Sequence, residues 1–250
     1  MHLVIDLGNT AAKVAVFSAS EMLVMRTVNA VTVAEIDQLA EEFPKINRAI
    51  LSSVVNHDPA LEDRLRQHWP LVVLDHTTEI PIINEYDTPE TLGRDRLAAA
   101  IGAHALYPND NVLVIDCGTC IKYDLATSDG RYLGGAISPG LDMRFKALHT
   151  FTDQLPLVTN PGSQPSLMGA STAASISSGV INGALAEVKG TIESYEARFQ
   201  QLTTVFTGGD ANRLRPAELS GKKRIFALPN LVLQGLNAIL QHHEDRQLQQ

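Results

Sequence analysis

Two short stretches of the sequence combine an aspartate, a glycine and a threonine at a spacing that suits phosphate binding. The first is DLGNT at residues 6–10, and the second is DCGT at residues 116–119. Glycine lets the backbone approach a ligand closely, and successive N–H groups with a threonine hydroxyl form a nest for phosphate oxygens. An aspartate at the end of a strand can hold Mg²⁺ or another cation, directly or through water. Both stretches are therefore candidate nucleotide sites.

The second stretch also contains a C-x-x-C motif formed by Cys117 and Cys120. In a thioredoxin-type redox site this motif begins a helix. Here Cys120 is followed by IKYDL, which has the pattern of a strand, and the chain has 2 cysteines in all, so no second pair completes a zinc site. We interpret the sulfurs as incidental to the turn, and a redox or metal pair is the less favoured alternative.

The two stretches lie in the same frame of apolar strand, Asp-x-Gly turn, lysine and second strand. The copies are VIDLGNTAAKVAVF at 4–17 and VIDCGTCIKYDL at 114–125, and the second is one residue shorter between glycine and lysine. A hairpin with such a turn is common, so one copy would carry little weight. Two copies, each opening one half of the chain, predict a duplicated domain, with boundaries at 1–110 and 111–250.

Periodicity and punctuation predict the other elements of each half. In the first half we expect three further strands, at 21–28, 48–55 and 70–75. We also expect three helices, at 33–43, 59–69 and 96–107, of which the second lies between the last two strands. The second half repeats the three-strand pattern, with its third strand at 131–138, and adds a helix at 169–199. Residues 243–250 have the composition of a fraying polar end.

Composition excludes several classes of function. A formal charge of −8 argues against nucleic acid, whose phosphates need a concentrated basic surface. No apolar run reaches the roughly 20 residues that span a bilayer, and the start of the chain lacks the pattern of a signal peptide. We therefore expect a cytoplasmic protein with no membrane partner. P-loop and Rossmann sites lack support, because neither glycine motif occurs in the chain.

The ordered motifs resemble type III pantothenate kinases, which belong to the acetate and sugar kinase, Hsc70 and actin superfamily. They are DLGNT, SSVV, YDTPETLGRDR, DCGT, GGAISPG, GASTAASISSG, TGGDA and NLVLQGL, and they run through nearly the whole chain. The resemblance implies an α/β fold of two duplicated RNase H-like domains, with mixed sheets, flanking helices and a nucleotide cleft between the domains. It also implies ATP-dependent phosphorylation of pantothenate to 4′-phosphopantothenate, the first step of coenzyme A biosynthesis, by a homodimer.

The resemblance assigns roles to individual residues. Asp95 is the general base that orients the substrate hydroxyl, with Arg94 and Arg96 keeping it ionised, and Asp116 holds a monovalent cation, K⁺ or NH₄⁺. ATP enters with Mg²⁺, and its contacts are Asp6, Leu7, Gly8, Asn9, Thr10, Ala11, Ala12, Lys13 and Thr119. Pantothenate contacts Tyr86, Gly93, Arg94, Asp95, Arg96 and Thr172, the last of them from the neighbouring subunit.

Two residues depart from the family pattern, which more often has small or hydroxyl side chains where Cys120 and Lys122 stand. Our hypothesis is that Lys122, if it enters the site, adds positive charge near the phosphates and weakens the need for K⁺. Two other functions remain as alternatives. One is a regulatory relative that binds ligand without turnover, and the other is an actin-like or chaperone-like ATPase; the intact Asp95 and the G-R-D-R segment favour the kinase.

Overall fold

The computed structural model describes residues 1–159, 161, 165–214 and 224–247. These residues form a mixed α/β fold with two mixed sheets, which confirms the predicted fold class. The strands are β1 (His2–Leu7), β2 (Ala12–Ser18), β3 (Glu21–Val28), β4 (Arg48–Ser53), β5 (Leu71–Val73), β6 (Ile83–Asn84), β7 (Asn111–Cys117), β8 (Cys120–Ala126), β9 (Arg131–Pro139), β10 (Leu202–Thr207) and β11 (Ile225–Ala227). The helices are α1 (Val33–Glu42), α2 (Pro59–His68), α3 (Arg94–Leu106), α4 (Leu141–Thr150), α5 (Thr172–Glu196), α6 (Ala211–Leu214) and α7 (Leu231–Gln247).

Five strands have the same order in both sheets when the second is read from its other edge, and the second sheet has β6 as an extra edge strand. The first sheet runs β3-β2-β1-β4-β5, and the second runs β11-β10-β7-β8-β9-β6. In each, the first strand of the copy pairs antiparallel with the second strand of its hairpin and parallel with a later strand, which is β4 for β1 and β10 for β7. The repeated order confirms the duplication that the two Asp-x-Gly frames predict.

The chain divides into two compact units. The first unit contains Met1–Pro108, Asp129–Leu133 and the chain from Asn230, and the second contains Asn109–Ser128 and Gly134–Pro229. Each unit has its own apolar core, and the central strands β1, β7 and β10 are buried along nearly their whole length. The domain boundaries predicted from the sequence, 1–110 and 111–250, stay a prediction. No helix in the described part of the chain is long and apolar enough to cross a membrane.

Both hairpins keep the same aspartate–lysine pair despite their different lengths. Asp6 is the cross-strand partner of Lys13, and Asp116 is the cross-strand partner of Lys122. The residue that the second copy lacks is missing from the turn, which leaves the register of the strands intact. Because side chains alternate along a strand, an unchanged register keeps both members of each pair on the same face of the sheet.

Helix α5 begins at a serine cap and packs its apolar face on the core of the second unit. The Ser171 hydroxyl accepts a hydrogen bond from the Ala174 N–H at 3.2 Å, which satisfies one of the free N–H groups at the start of the helix. The buried side chains are Ile176, Val180, Ile181, Ala184, Val188 and Ile192. These side chains therefore belong to the core of the second unit.

Two glycines allow α3 and α7 to pack closely in the first unit. A Cβ added at Gly235 would lie 1.7 Å from the Ala98 carbonyl oxygen, and one at Gly102 would lie 2.6 Å from the Leu231 carbonyl oxygen. The two backbones are therefore in direct contact. Since α3 carries the G-R-D-R segment at its start, this contact helps to fix the position of that segment.

We predict that Gly235→Ala destabilises the first unit, because the new methyl group must push α7 away from α3. The free energy of unfolding should fall by about 1–3 kcal/mol, the usual cost of overpacking. Urea denaturation followed by circular dichroism measures the change.

The matched control is Gly183→Ala in α5, where an added Cβ meets nothing within 4 Å. It should stabilise the protein by up to about 1 kcal/mol, since alanine is the better helix former. Equal stability of the two variants would contradict the close packing of α3 on α7.

Candidate functional site

The first predicted phosphate turn lies at the carboxyl end of β1. Asp6 and Leu7 end β1, residues 8–11 form the turn, and Ala12 and Lys13 begin β2. Asn9 and Thr10 are exposed at the tip of the turn. The Lys13 Nζ donates a hydrogen bond to Asn230 Oδ1 at 3.3 Å. The tip therefore presents a side-chain amide, a hydroxyl and backbone N–H groups, which are the donors that phosphate oxygens need.

The end of β4 lies beside this turn. Because β1 and β4 are parallel, Asp6 pairs with Ser52 and Leu7 with Ser53. Beyond the last pair, the Val54 N–H donates to the Leu7 carbonyl oxygen at 3.1 Å. The SSVV motif thus has a structural role that was not assigned from the sequence: it supplies the parallel neighbour of the phosphate turn.

Arg94 connects the start of α3 to the end of β4. Its Nη1 donates to the Ser53 carbonyl oxygen at 2.8 Å. This contact places the first turn of α3, with Asp95, next to the strand end that neighbours the Asp6 turn. The Asp95 Oδ1 accepts from the Arg96 N–H at 2.9 Å, and the partial positive charge at a helix N-terminus favours a carboxylate there.

Arg96 is buried and points to Tyr86. Its guanidinium carbon lies 5.5 Å from the centre of the Tyr86 ring, and its Nη1 is 3.4 Å from the Tyr86 hydroxyl. The Tyr86 ring packs in turn on Tyr132, with ring centres 6.1 Å apart. The first unit therefore brings together the residues predicted at 6–13 and at 86–96, through contacts made by β4, Arg94 and Arg96.

The second phosphate turn lies at the carboxyl end of β7. Thr119 is exposed, and a Cβ added at Gly118 would meet nothing within 4 Å, so the turn is open at that point. The back of the turn is closed by Gly140, whose N–H donates to the Thr119 carbonyl oxygen at 3.1 Å. A Cβ at Gly140 would lie 2.2 Å from the Gly118 carbonyl oxygen, so the GGAISPG motif packs against the turn.

The TGGDA motif lies beside this turn, as SSVV does in the first unit. Thr207 pairs with Asp116 in the parallel β7–β10 ladder, and the Asp210 N–H donates to the Cys117 carbonyl oxygen at 3.0 Å. Gly208 has a φ of 89° and packs on the same carbonyl group. Sequence reasoning gave TGGDA no role, although the run LTTVF before it, at 202–206, has the composition of a strand and was a usable signal.

Asp116 and Lys122 form an ion pair across the second hairpin. The Lys122 Nζ lies 2.6 Å from Asp116 Oδ2, and each side chain is 17% exposed. The sequence left open whether Lys122 enters the site. It does reach the carboxylate that the resemblance assigns to a monovalent cation.

The Cys117 thiol is buried and unsuited to redox chemistry. Burial, with Asp116 and Asp210 nearby, raises the pKa of this thiol to about 12. A reactive cysteine needs the opposite shift. Among the described residues, no group of three or more His, Cys, Asp or Glu side chains is placed to hold a metal ion. The raised pKa of the Cys117 thiol therefore argues against a redox role for the C-x-x-C motif.

Thr172 is the first residue of α5 and is exposed. It belongs to the second unit, whereas the other predicted pantothenate contacts belong to the first. Its role as a substrate contact stays a prediction.

A partly buried network supports the strands and helices around the second turn. The Tyr123 hydroxyl donates to Glu187 Oε1 at 3.0 Å, and Arg144 Nη2 donates to Glu187 Oε2 at 2.6 Å. Arg144 also donates to the Ser138 hydroxyl and the Pro139 carbonyl oxygen, which precede Gly140. Burial alone would raise the pKa of Glu187, but the hydrogen bonds from Arg144, Ser138 and Tyr123 hold it below its usual value.

Comparisons with known proteins agree on one family. The family described as type III pantothenate kinase matches residues 2–194. A type III pantothenate kinase of Christiangramia forsetii is 50% identical over 98% of this chain and 99% of its own. One from Phocaeicola vulgatus is 40% identical over the same shares of the two chains.

Solved structures share the fold at lower identity. A protein of Campylobacter jejuni assigned to the Baf family of transcriptional activators has a TM-score of 0.60 at 22% identity, covering 97% of this chain and 99% of its own. The activator of the 2-hydroxyisocaproyl-CoA dehydratase from Clostridium difficile, with bound ADPNP, has a TM-score of 0.54 at 14% identity, covering 99% and 97%. At these identities the likeness concerns the fold alone.

We predict that Glu187→Gln lowers the free energy of unfolding by about 1–2 kcal/mol at neutral pH, because charge-assisted hydrogen bonds become neutral ones. The folded-state pKa of Glu187 is below its unfolded value of 4.5. The extra stability is therefore present above pH 4.5 and is lost as the pH falls through the folded pKa. Denaturation at a series of pH values should show the difference between wild type and variant shrinking below pH 4.5.

The control is Glu193→Gln, an exposed glutamate on the same helix. Its effect should be within about 0.5 kcal/mol at every pH. A Glu187 variant that behaves like this control would show that the network adds nothing to stability.

Proposed function

The chain belongs to the type III pantothenate kinase family, and we propose that it transfers the γ-phosphoryl group of ATP to the primary hydroxyl of pantothenate. The products are ADP and 4′-phosphopantothenate. Beyond the full-length likeness, the observation that supports this proposal most is the contact of Arg94 with the end of β4. It gathers the Asp6 turn and the Asp95 carboxylate in one compact unit.

The two Asp-x-Gly turns would hold the nucleotide. In the first unit, the turn from Asp6 to Lys13 supplies backbone N–H groups, two exposed polar side chains and a lysine for the phosphates. Asp6 is the candidate for Mg²⁺, directly or through water. In the second unit, the exposed Thr119 supplies a further hydroxyl. The two turns lie at the carboxyl ends of β1 and β7, where ligands of open α/β sheets commonly bind.

Asp95 would act on the pantothenate hydroxyl. In the transfer step, the hydroxyl oxygen forms a bond to the γ-phosphorus, the bond from that phosphorus to the ADP oxygen breaks, and the hydroxyl proton passes to the carboxylate. An aspartate suffices as base because the transition state of phosphoryl transfer is loose and the proton leaves late. The work of Asp95 is then mainly to orient the nucleophile. Its place in the first turn of α3 suits that task, since the helix holds it rigidly.

Gly93 to Arg96 and Tyr86 would bind pantothenate, with an arginine paired to the substrate carboxylate. Arg96 is held by Tyr86, and Arg94 by the Ser53 carbonyl group. Both guanidinium groups are therefore positioned before any ligand arrives. Positioned donors lose less conformational freedom on binding, which favours affinity.

We also propose that the protein is a homodimer in which Thr172 reaches the partner's pantothenate site. The segment before α5 lies along that helix, since the Ser178 hydroxyl donates to the Leu167 carbonyl oxygen at 2.7 Å. Its side chains nevertheless point outward: Leu167 is 81% exposed and Met168 is 84% exposed. Phe151 in the same unit is 85% exposed. Exposed apolar groups of this size are typical of an interaction surface.

A cytoplasmic location stays a prediction. The resemblance further predicts that Asp116 binds K⁺ or NH₄⁺. The residues present fit a bound monovalent cation poorly. The Asp116 carboxylate is already paired with the Lys122 ammonium, so a metal ion there would lie next to a second positive charge.

We predict that ADP release from ATP and Mg²⁺ depends on pantothenate and that Asp95→Asn slows it roughly 10²–10⁴-fold, the range for removing a general base. A coupled assay measures the rate. The control is Asp63→Asn, an exposed aspartate on α2 in the same unit, which should keep the wild-type rate.

Two results would contradict the kinase. If wild type binds pantothenate by calorimetry but releases no ADP, the protein is a regulatory relative. If ATP hydrolysis is unaffected by pantothenate and ATP drives the protein into large assemblies on size exclusion, it is an actin-like or chaperone-like ATPase.

We predict that sedimentation velocity gives a dimer for the wild type and a monomer for the double variant Leu167→Asp and Met168→Asp, because two buried carboxylates would be unpaired at the interface. Pantothenate-dependent activity should fall with the loss of the dimer. Replacing the exposed Leu23 on β3 by aspartate is the control, and it should leave the dimer intact. A monomeric wild type with full activity would exclude the role of Thr172 across an interface.

A further inference from the structure

We propose that the Lys122 ammonium group takes the place of the monovalent cation, so that phosphoryl transfer by this protein does not require K⁺ or NH₄⁺. The inference rests on the proposed kinase function. It gives Lys122 the role of a positioning residue, one that neutralises Asp116 beside the nucleotide turn.

The first observation is the geometry of the pair. Lys122 is the cross-strand partner of Asp116, and its Nζ lies 2.6 Å from Asp116 Oδ2. Both side chains are largely shielded from water, at 17% exposure each. An ion pair held by strand register in a shielded place has a fixed position, unlike a surface pair between mobile side chains. The positive charge is therefore a permanent part of the second turn.

The second observation is the chemistry of the head group. A lysine side chain ends in an alkylammonium ion, which has the charge of NH₄⁺ and donates hydrogen bonds to the same oxygen acceptors. A site that accepts K⁺ or NH₄⁺ beside a carboxylate can thus be filled by this group. The positive charge at Asp116 is then part of the chain itself, as the Lys122 ammonium group.

The third observation is the crowding around Asp116. A Cβ added at Gly208 would lie 2.5 Å from Asp116 Oδ1, so the TGGDA turn closes on the other carboxylate oxygen. One oxygen thus faces Lys122 and the other faces the backbone at Gly208. A K⁺ ion, which needs several oxygen ligands, would have to displace the ammonium group from this carboxylate.

The role follows from the position of the turn. Asp116 is three residues before Thr119, the exposed hydroxyl proposed to contact the nucleotide. An unneutralised carboxylate there would repel the phosphates. Pairing with Lys122 removes that repulsion without a dissociable ion. In the first hairpin, the lysine at the same register donates to Asn230.

The test compares wild type, Lys122→Ala and the control Lys189→Ala, an exposed lysine on α5 in the same unit. Pantothenate-dependent ADP release is measured with choline as the sole monovalent cation and then with added KCl or NH₄Cl. Wild type and control should show rates that differ less than about threefold between the salts. Lys122→Ala should be slowed roughly 10²-fold in choline, the effect of removing one preorganised charge, and should recover at least about tenfold with K⁺ or NH₄⁺.

Three results would overturn the proposal. Wild type that is active only with added K⁺ still needs the ion. If Lys122→Ala releases ADP at the wild-type rate in choline, the Lys122 charge is not needed for the reaction. A folded Lys122→Ala that stays inactive in every salt has lost a structural contact that a cation cannot replace. If neither Lys122→Ala nor Lys122→Met folds, the comparison of wild-type rates in choline and with added K⁺ or NH₄⁺ is sufficient to test the proposal.

Calorimetry with ATP and Mg²⁺ in the same salts separates this proposal from the proposed function. If wild type binds ATP equally in choline and in KCl but never phosphorylates pantothenate, the kinase function fails, and what stands is that nucleotide binding needs no K⁺. If binding requires KCl, the cation replacement fails whatever the activity. Absence of ATP binding in every salt would overturn both.

Discussion

The parallel pairing of each hairpin strand with a later strand is the constraint on which the rest of the structure depends. The β1–β4 pairing puts the Asp6 turn beside the SSVV segment, and the β7–β10 pairing puts the Asp116 turn beside TGGDA. Parallel strands end at the same edge of a sheet, so groups far apart in sequence meet there. The proposed contacts with the phosphates of ATP follow from these two edges.

Much of this arrangement could be predicted from the sequence, because its signals are local. The strands β1, β2, β7 and β8 are short apolar runs on either side of a glycine turn, and α1 and α2 have apolar residues at helical spacing. Duplication was predictable because the Asp-x-Gly frame occurs twice. The shared strand order of the two sheets is the three-dimensional form of that repeat.

The part of the structure that could not be predicted from the sequence consists of contacts between distant segments. The Arg94 hydrogen bond to Ser53 and the close packing of Gly235 on Ala98 depend on how elements pack, which no local pattern encodes. The end of the chain shows the same limit. Residues 243–247 read as a fraying polar end, yet they continue α7, and Glu244 pairs with the buried His2 at 3.0 Å. Polar composition indicates exposure, but a polar side chain is also ordered when a partner comes from elsewhere in the fold.

The acidity of the chain explains why its local charges matter. A protein with a net charge of −8 that binds a triphosphate cannot rely on its overall field, which repels the ligand. It needs positive groups at fixed places, and both hairpins have a lysine opposite their aspartate. A bound ion gives such charge only in proportion to its occupancy, which varies with ion concentration, whereas a lysine is present in every molecule. Covalent attachment therefore makes the charge at the second turn independent of the ionic surroundings, at the cost of a position that cannot adjust to the ligand as freely as a mobile ion does.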